Sequence, residues 1–311
     1  MSYKILITCP PMLKNIHHFD EYFKKNNLKV TAPEVIQTIS EDDLIKILPK
    51  HDGWIIGDDS VTRKALAAGK KGRLKALVKW GIGVDNIDFE ACDDLKIPVT
   101  NTPNMFGDEV SDLAIGYIIG LARETFFIDR EIRNKKWPKN TGISLKGKTV
   151  GIVGYGDIGR NTATKSKALG LNVIAYDPGV KSIKDINIKH TVWPKRIDEC
   201  DFIVFTCALN IKNKHMFNED IIKKCKHSLR VVNVARGGLI NELDLCEALK
   251  NNRLHSAALD VYEEEPPSPK SYLRKHPFCI LGSHNASNTS EAVIKTSLTS
   301  LDTMLNFLEK S

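Results

Sequence analysis

The 311-residue sequence has no long apolar run, no paired-cysteine motif and no dense cluster of basic residues. No apolar stretch approaches the roughly 18 residues that a membrane helix needs, and Pro10 and Pro11 interrupt the short run near the N-terminus. We therefore expect neither a membrane span nor a secretory signal. The seven cysteines are scattered, without CxxC or Cys/His spacing. This pattern favours reduced thiols in a cytoplasmic protein and no metal site.

The formal net charge of +7 does not by itself indicate nucleic-acid binding. Basic residues occur singly or in pairs such as Lys70-Lys71 and Lys223-Lys224, with no interleaved aromatic series. A nucleic-acid footprint requires clustering that this sequence does not have. We expect a solvated surface that weakly attracts anions and binds no nucleic acid.

Short apolar runs alternate with segments of helical periodicity along most of the chain. Twice the usual domain length predicts two domains, and the alternation predicts parallel sheets with crossover helices. Helices are expected at 15–26, 42–48, 63–68, 160–169 and 291–308. Strands are expected at 4–8, 30–32, 54–56, 76–78, 98–100, 149–153, 172–176, 202–206, 230–234 and 255–259.

A further helix is predicted at 109–123, and it is apolar on nearly every face. Such a helix should be buried between domains or subunits. A basic loop is expected at 133–139. The fold class is α/β, with two Rossmann- or flavodoxin-like doubly wound parallel-sheet domains and a cleft between them.

A complete dinucleotide-binding motif begins near residue 150. Gly154, Gly156 and Gly159 follow a predicted strand and open a helix, and Asp177 ends the next strand. In such motifs the glycines allow a tight turn, close approach of a pyrophosphate and helix–strand packing. Asp177 would accept hydrogen bonds from ribose hydroxyls and repel a 2′-phosphate, which favours NAD over NADP. A flavin or nucleotide-sugar domain, or a domain that no longer binds a nucleotide, remains an alternative.

The order of several motifs resembles that of the D-isomer-specific 2-hydroxyacid dehydrogenases, most closely the phosphoglycerate dehydrogenase branch. The resemblance covers nearly the whole chain and rests on residues 81–88, 101–103, 151–159, 233–238, 260–266 and 284–287. It implies a substrate domain of residues 1–103 and 285–311, an NAD domain of residues 104–284, and a homodimer. The implied activity interconverts a D-2-hydroxy acid and a 2-oxo acid by hydride transfer.

The resemblance also implies a catalytic triad. Arg236 would bind the substrate carboxylate in a bidentate manner, and His284 would exchange a proton with the substrate oxygen. Glu265 would accept a hydrogen bond from the imidazole and set its tautomer, although Glu263 and Glu264 are adjacent competitors. The implied cofactor-binding residues are Gly154, Gly156, Asp157, Ile158, Gly159, Asp177, Pro178, Thr206, Cys207, Ala208, Val234, Ala235, Asp260 and Ala286.

The substrate itself is left open by the motifs. The amides of Gly81, Ile82 and Gly83 can form a nest for a carboxylate, and Lys79 lies where the phosphoglycerate dehydrogenase branch commonly has a phosphate-binding Arg. We therefore expect a small anionic acid, with a phosphate or second acid near Lys79. A glyoxylate or hydroxypyruvate reductase and a phosphite dehydrogenase are alternatives on the same scaffold. A non-catalytic NAD-sensing protein, similar to the C-terminal-binding-protein corepressors, is an alternative of another class.

Two departures from the family pattern bear on this substrate question. The segment 206–209 reads Thr-Cys-Ala-Leu where the family commonly has His-x-Pro-Leu. Positions 111–112 read Ser-Asp where Ala-Glu is common. Formate dehydrogenases carry Gln at the position of Glu265, so the acid argues against that activity.

Overall fold

The computed structural model describes residues 2–183, 185 and 187–310. The chain divides into two compact units, the first formed by Met1–Met105 with Asn288–Ser311 and the second by Phe106–Ser287. The sequence-based boundaries lie within a few residues of these. The outermost residues of the first predicted domain, Met1 and Ser311, lie outside the described residues.

The first unit contains a five-stranded parallel sheet with the order β2-β1-β3-β4-β5. Its strands are β1 (Tyr3–Ile7), β2 (Leu28–Thr31), β3 (Gly53–Ile56), β4 (Ala76–Lys79) and β5 (Val99–Asn101). The intervening helices are α1 (Pro10–Lys14), α2 (Asp20–Lys25), α3 (Glu41–Ile47), α4 (Arg63–Lys71) and α5 (Phe89–Asp94). The central strands are buried on both faces, which explains their continuous apolar runs.

The second unit contains a seven-stranded parallel sheet with the order β12-β11-β10-β9-β6-β7-β8. Its helices are α6 (Gly107–Arg123), α7 (Thr125–Arg133), α8 (Asp157–Ala168), α9 (Glu219–Ile222) and α10 (Glu242–Lys250). Its strands are β6 (Thr149–Val153), β7 (Asn172–Tyr176), β8 (Ile188–Thr191), β9 (Phe202–Phe205), β10 (Arg230–Asn233), β11 (Ser256–Leu259) and β12 (Ile280–Leu281). The predicted class of two doubly wound α/β domains is confirmed.

The C-terminal helix α11 (Ser290–Glu309) belongs to the first unit and packs against β3 and β4. Trp80 Nε1 donates to Ser297 Oγ at 3.0 Å, which fixes the helix over the end of β4. Gly53 gives this helix room, because a Cβ at Gly53 would lie 2.3 Å from Met304 Sδ. The last helix of the chain therefore completes the core of the unit that begins it.

Helix α6 is buried for a different reason from the one predicted. It packs against α8 and against β10 and β11 within the second unit, and Ala114, Ile118 and Leu121 are buried there. The expectation that its burial requires a second domain or subunit is therefore wrong for these residues. Ile119 remains 37% exposed on the opposite face.

Several local elements differ from the prediction. The expected helix at 15–26 is a 3₁₀ turn, Ile16–Phe19, followed by the short helix α2. Helix α7 is absent from the prediction, as are β8, which is mostly polar, and β12, which has only two residues. No helix in the described part of the chain is both long and apolar enough to cross a membrane.

Candidate active site

The residues of the predicted triad follow neighbouring strands of the second unit. Arg236 follows β10, Glu265 follows β11 and His284 follows β12, and these three parallel strands are adjacent. Their carboxyl ends therefore lie at one edge of the sheet, where open α/β sheets bind ligands.

His284 and Glu265 form a hydrogen-bonded pair. His284 Nδ1 lies 2.7 Å from Glu265 Oε2, and both side chains are mostly buried. A carboxylate accepts this bond, so Nδ1 carries the proton and the tautomer is set. Glu265 is itself held in place, because its Oε1 accepts from the backbone N–H of Tyr262 at 3.0 Å.

The backbone positions His284 in an uncommon conformation. Its φ of 54° is in the left-handed region, and its N–H donates to the carbonyl of Asp260 at 2.6 Å. Non-glycine residues seldom adopt this conformation, so the surrounding contacts must impose it. The ring is thereby directed by the loops after β11 and β12 together.

The two neighbouring glutamates have other partners. Glu263 lies 2.9 Å from His215 Nε2 and accepts from the N–H of Glu242 at 2.7 Å. Glu264 is exposed. His284 is therefore paired with Glu265, whereas Glu263 bonds to other groups.

Arg236 is positioned by an asparagine that the sequence analysis did not single out. Asn233 Nδ2 donates to the carbonyl of Arg236 at 2.9 Å, and Asn233 Oδ1 accepts from the N–H of Ala235 at 3.1 Å. Both bonds come from one buried side chain at the end of β10. These two bonds make the turn after β10 rigid, and they fix the backbone of the half-buried Arg236 within that turn.

Asp260 is buried directly beside the triad. Its Oδ2 accepts from the N–H of Ala286 at 2.8 Å, and Tyr117 OH lies 3.4 Å from its Oδ1. Burial raises the pKa of Asp260, while hydrogen bonds from the backbone of Asn285 and Ala286 oppose the rise. Asp260 and Ala286, both predicted to bind the cofactor, are thus in direct contact and connect the loops after β11 and β12.

The glycine motif has the geometry of a nucleotide-binding turn. Gly154 has a φ of 98°, and a Cβ there would lie 2.7 Å from the backbone of Cys207. A Cβ at Gly159 would lie 2.1 Å from the carbonyl oxygen of Gly154. Gly156 precedes α8, and a Cβ there would meet nothing within 4 Å. The helix N-terminus therefore faces an open space that suits a pyrophosphate, so these residues fit NAD.

Asp177 follows β7 and is fixed through both carboxylate oxygens. Oδ2 accepts from the N–H of Tyr155 at 2.6 Å, and Oδ1 accepts from the N–H of Gly179 at 2.8 Å. The half-buried carboxylate therefore has a defined orientation next to the glycine turn. The adjacent Pro178 is exposed.

The remaining predicted cofactor contacts border the same turn or the neighbouring strand end. Thr206 Oγ1 donates to the carbonyl of Gly154 at 2.8 Å, and Cys207 lies against that glycine. Burial raises the pKa of Cys207 to about 11, so its thiol is neutral. Of the others, Ala208 is exposed, Ala235 and Ile158 are half-buried, and Val234 is buried after β10.

Asp157 is directed away from the expected phosphate position. A Cβ at Gly107 would lie 2.4 Å from Asp157 Oδ2, so the carboxylate lies against the first residue of α6. Asn161 Nδ2 donates to its Oδ1 at 3.3 Å. The side chain thus supports the N-terminus of α6, and only the backbone of Asp157 can serve an anion at α8.

The predicted substrate residues lie in the first unit, at the end of β4 and in the turn that follows it. Gly81 has a φ of 128°, but its N–H donates to Thr102 Oγ1 at 2.8 Å. The expectation that this amide contacts a carboxylate is therefore wrong in this conformation, and the predicted nest reduces to Ile82 and Gly83. Lys79 is only 3% exposed and pairs with Asp58 Oδ1 at 3.0 Å.

Sequence reasoning missed Asn233, Tyr262 and Asp58. Each follows or ends a parallel strand: Asn233 is the last residue of β10, and Asp58 lies two residues after β3. That position alone could have marked both of them as site candidates. Tyr262 acts through its backbone N–H, for which no sequence signal exists.

Comparison with known proteins identifies the family. Residues 115–286 match the model of the D-isomer specific 2-hydroxyacid dehydrogenase NAD binding domain. D-3-phosphoglycerate dehydrogenase of Archaeoglobus fulgidus is 33% identical over 291 residues, which are 92% of this chain and 54% of that protein. Hydroxypyruvate reductase of Thermotoga maritima is 35% identical over 247 residues, which are 78% of each chain.

Structural similarity agrees with the sequence matches. D-lactate dehydrogenase of Escherichia coli has a TM-score of 0.84 and 26% identity, over 99% of this chain and 97% of that chain. The chain spans about half the length of the phosphoglycerate dehydrogenase that it matches. The predicted family and the NAD-binding domain are confirmed, and the chain belongs to the D-isomer-specific 2-hydroxyacid dehydrogenase family.

Proposed function

We propose that the protein catalyses the NAD-dependent interconversion of a D-2-hydroxy acid and a 2-oxo acid. The observation that carries this proposal is the 2.7 Å bond between His284 Nδ1 and Glu265 Oε2. An imidazole held by a carboxylate at the ligand-binding edge of a nucleotide-binding sheet is suited to proton exchange with a substrate oxygen.

The proton steps follow from the tautomer. With Nδ1–H donated to Glu265, the Nε2 atom of His284 accepts the hydroxyl proton during oxidation and returns it during reduction. The Glu265 carboxylate stabilises the imidazolium formed in the oxidative direction, because the two groups then carry opposite charges. Bound NAD supplies the hydride acceptor, or in its reduced form the hydride donor.

Arg236 is the proposed anchor of the substrate carboxylate. Its guanidinium can bind a carboxylate in a bidentate manner, and the Asn233 bonds keep the preceding turn rigid. The backbone N–H groups of Ile82 and Gly83 are proposed as further hydrogen-bond donors to the carboxylate. The predicted cleft, homodimer and cytoplasmic location stay predictions.

Two substrate classes remain to be separated. The relatives named above include a phosphoglycerate dehydrogenase and a hydroxypyruvate reductase, which fit the phosphorylated and unphosphorylated alternatives in turn. The pairing of Lys79 with Asp58 favours a small unphosphorylated acid, such as glyoxylate or hydroxypyruvate. A phosphorylated acid, as in the phosphoglycerate dehydrogenase prediction, remains the second candidate.

The proposal is tested by following NADH oxidation with glyoxylate, hydroxypyruvate, pyruvate, phosphohydroxypyruvate and larger 2-oxo acids, and NAD reduction with phosphite. The His284→Ala variant should lose roughly 10²–10⁴-fold in turnover because it cannot transfer the proton. NADH binding, followed by fluorescence, should persist in the variant. Turnover of a 2-oxo acid at the wild-type rate in His284→Ala would refute the assignment. Binding of NADH without turnover of any acid would instead favour the NAD-sensing alternative.

A further inference from the structure

The only cation predicted to bind a substrate phosphate is already neutralised within the first unit. Lys79 ends β4, and its ammonium donates to the carbonyl of Gly57 and pairs with Asp58 Oδ1 at 3.0 Å. The lysine side chain is 3% exposed, whereas that of Asp58 is 35% exposed. The solvent-facing charge of this pair is therefore the carboxylate.

Asp58 is held in this position from a second side. Its Oδ2 accepts from Gln37 Nε2 at 3.0 Å. The loop is also fixed after Asp58, because Asn86 Nδ2 donates to the carbonyl of Asp59 at 2.7 Å. The carboxylate is therefore not a mobile surface charge that would swing away at little cost when an anion arrives.

The pair lies beside the glycine turn that is proposed to bind the substrate carboxylate. A Cβ at Gly81 would lie 3.8 Å from Lys79 Nζ. Asp58 follows β3 and Gly81 follows β4, and the two strands are adjacent in the sheet. A substrate bound at Ile82 and Gly83 would therefore have the Lys79–Asp58 pair next to it.

A second acid, Asp59, follows Asp58 in the same loop. Asp59 is fully buried and accepts from the N–H of Ile39 at 2.7 Å and from Thr8 Oγ1 at 2.5 Å. Burial raises the pKa of Asp59, and the hydrogen bonds from Thr8 and Ile39 oppose the rise. The ion pair with Asp58 therefore already opposes the positive charge of Lys79, which reduces what remains for a phosphate.

We infer that Asp58 is a specificity-determining residue that restricts the protein to 2-oxo acids whose only anionic group is the C1 carboxylate. A phosphate near Lys79 would have to displace a carboxylate that two other groups hold, and it would then face that like charge. A neutral hydroxymethyl group or a hydrogen meets no such repulsion. This inference deepens the proposed function and rests on it for the position of the substrate.

The test compares hydroxypyruvate with phosphohydroxypyruvate in the wild type, Asp58→Asn and Asp58→Glu. Asp42→Asn serves as the control, because it removes the same charge from an 81% exposed side chain on α3. We expect the wild type to prefer hydroxypyruvate by at least ~100-fold in kcat/KM, since juxtaposed like charges are strongly unfavourable. Asp58→Asn should reduce this ratio by at least ~10-fold, whereas Asp58→Glu and Asp42→Asn should retain it.

A binding experiment makes the inference independent of turnover. The NAD-loaded protein is titrated calorimetrically with D-glycerate and D-3-phosphoglycerate. If no 2-oxo acid is reduced but D-glycerate binds more tightly, the proposed function fails while the specificity inference stands. If the wild type prefers the phosphorylated compound in either experiment, the inference is overturned, and this comparison needs no variant. An equal effect of Asp58→Asn on both compounds would also overturn it.

Discussion

Replacing Glu265 by glutamine separates the role of its charge from that of its shape. The carboxylate accepts two hydrogen bonds, from His284 Nδ1 at 2.7 Å and from the N–H of Tyr262 at 3.0 Å. Glutamine has nearly the same shape but only one acceptor oxygen. One of the two donors must therefore lose its partner, or the imidazole must change its tautomer.

The cost follows from the kind of bond that is lost. A hydrogen bond to a charged group contributes ~1.5–3 kcal/mol, and ~1.4 kcal/mol corresponds to a factor of ten. We expect kcat for the preferred 2-oxo acid to fall by roughly 10–150-fold. NADH affinity should change little, because the lost bond stabilises the imidazolium during proton transfer.

The matched control is Glu263→Gln, two positions earlier in the same loop. Glu263 bonds to His215 and to the N–H of Glu242, and it does not pair with His284. Both variants are assayed by NADH absorbance, and their folding is compared by thermal unfolding. If Glu265→Gln retains the wild-type kcat, or if both variants lose the same amount, the proposed role of the Glu265–His284 pair is refuted.

Two further predictions concern the cofactor and the stability of the second unit. Because Asp177 is held beside the glycine turn, kcat/KM should be at least ~10-fold higher with NADH than with NADPH, and Asp177→Ala should narrow this ratio; equal values in the wild type would contradict it. Burial, with Arg230 nearby, lowers the pKa of His255 to about 4. An unfolded histidine titrates near pH ~6.5, so the unfolded state binds the extra proton between these values. Above that range His255 does not reduce the free energy of unfolding, which should fall by ~3 kcal/mol as the pH drops to about 4. Urea unfolding at several pH values should show that the unfolding free energy depends less on pH in His255→Gln than in the exposed control His227→Gln. An equal dependence in both variants would exclude His255 as the cause.

The elements predicted best from the sequence are those in which burial or backbone conformation alone determines the residue type. Strands β6 and β7 have the predicted bounds because both are apolar, β-branched runs followed by turn residues. The glycine motif was equally readable, since a φ of 98° at Gly154 and the close contact of Gly159 with the turn admit no larger side chain. Backbone requirements of this kind leave a direct trace in residue type.

Elements at the edges of the sheets were harder to predict. Strand β8 reads Ile-Lys-His-Thr and lies at the edge of its sheet, with mainly its first residue buried. Strand β12 contains only two residues, and it extends the sheet at the opposite edge. Such segments depend on a neighbouring strand for their backbone hydrogen bonds, and local periodicity does not report that neighbour.

The pairing of charged side chains was the least predictable feature. Glu265 could be chosen over two adjacent glutamates only by family resemblance, because its partner His284 lies in another loop. Lys79 presents the same problem, because its partner also cannot be identified from the sequence. Burying an ammonium requires a compensating partner, but nothing near Lys79 in the sequence identifies Asp58 as that partner.

This contrast explains why the reaction class and the substrate are unequally visible in the sequence. The reaction class depends on a backbone turn and on residues that the family motifs mark by position. In the specificity inference, substrate choice depends on the charge at the end of β4, and the partner of one buried lysine sets that charge. A lysine considered alone predicts that a phosphate binds, whereas the same lysine paired with Asp58 predicts that a phosphate is excluded. On the inference that Asp58 restricts the substrate, its charge is decided by a tertiary contact between two adjacent strand ends.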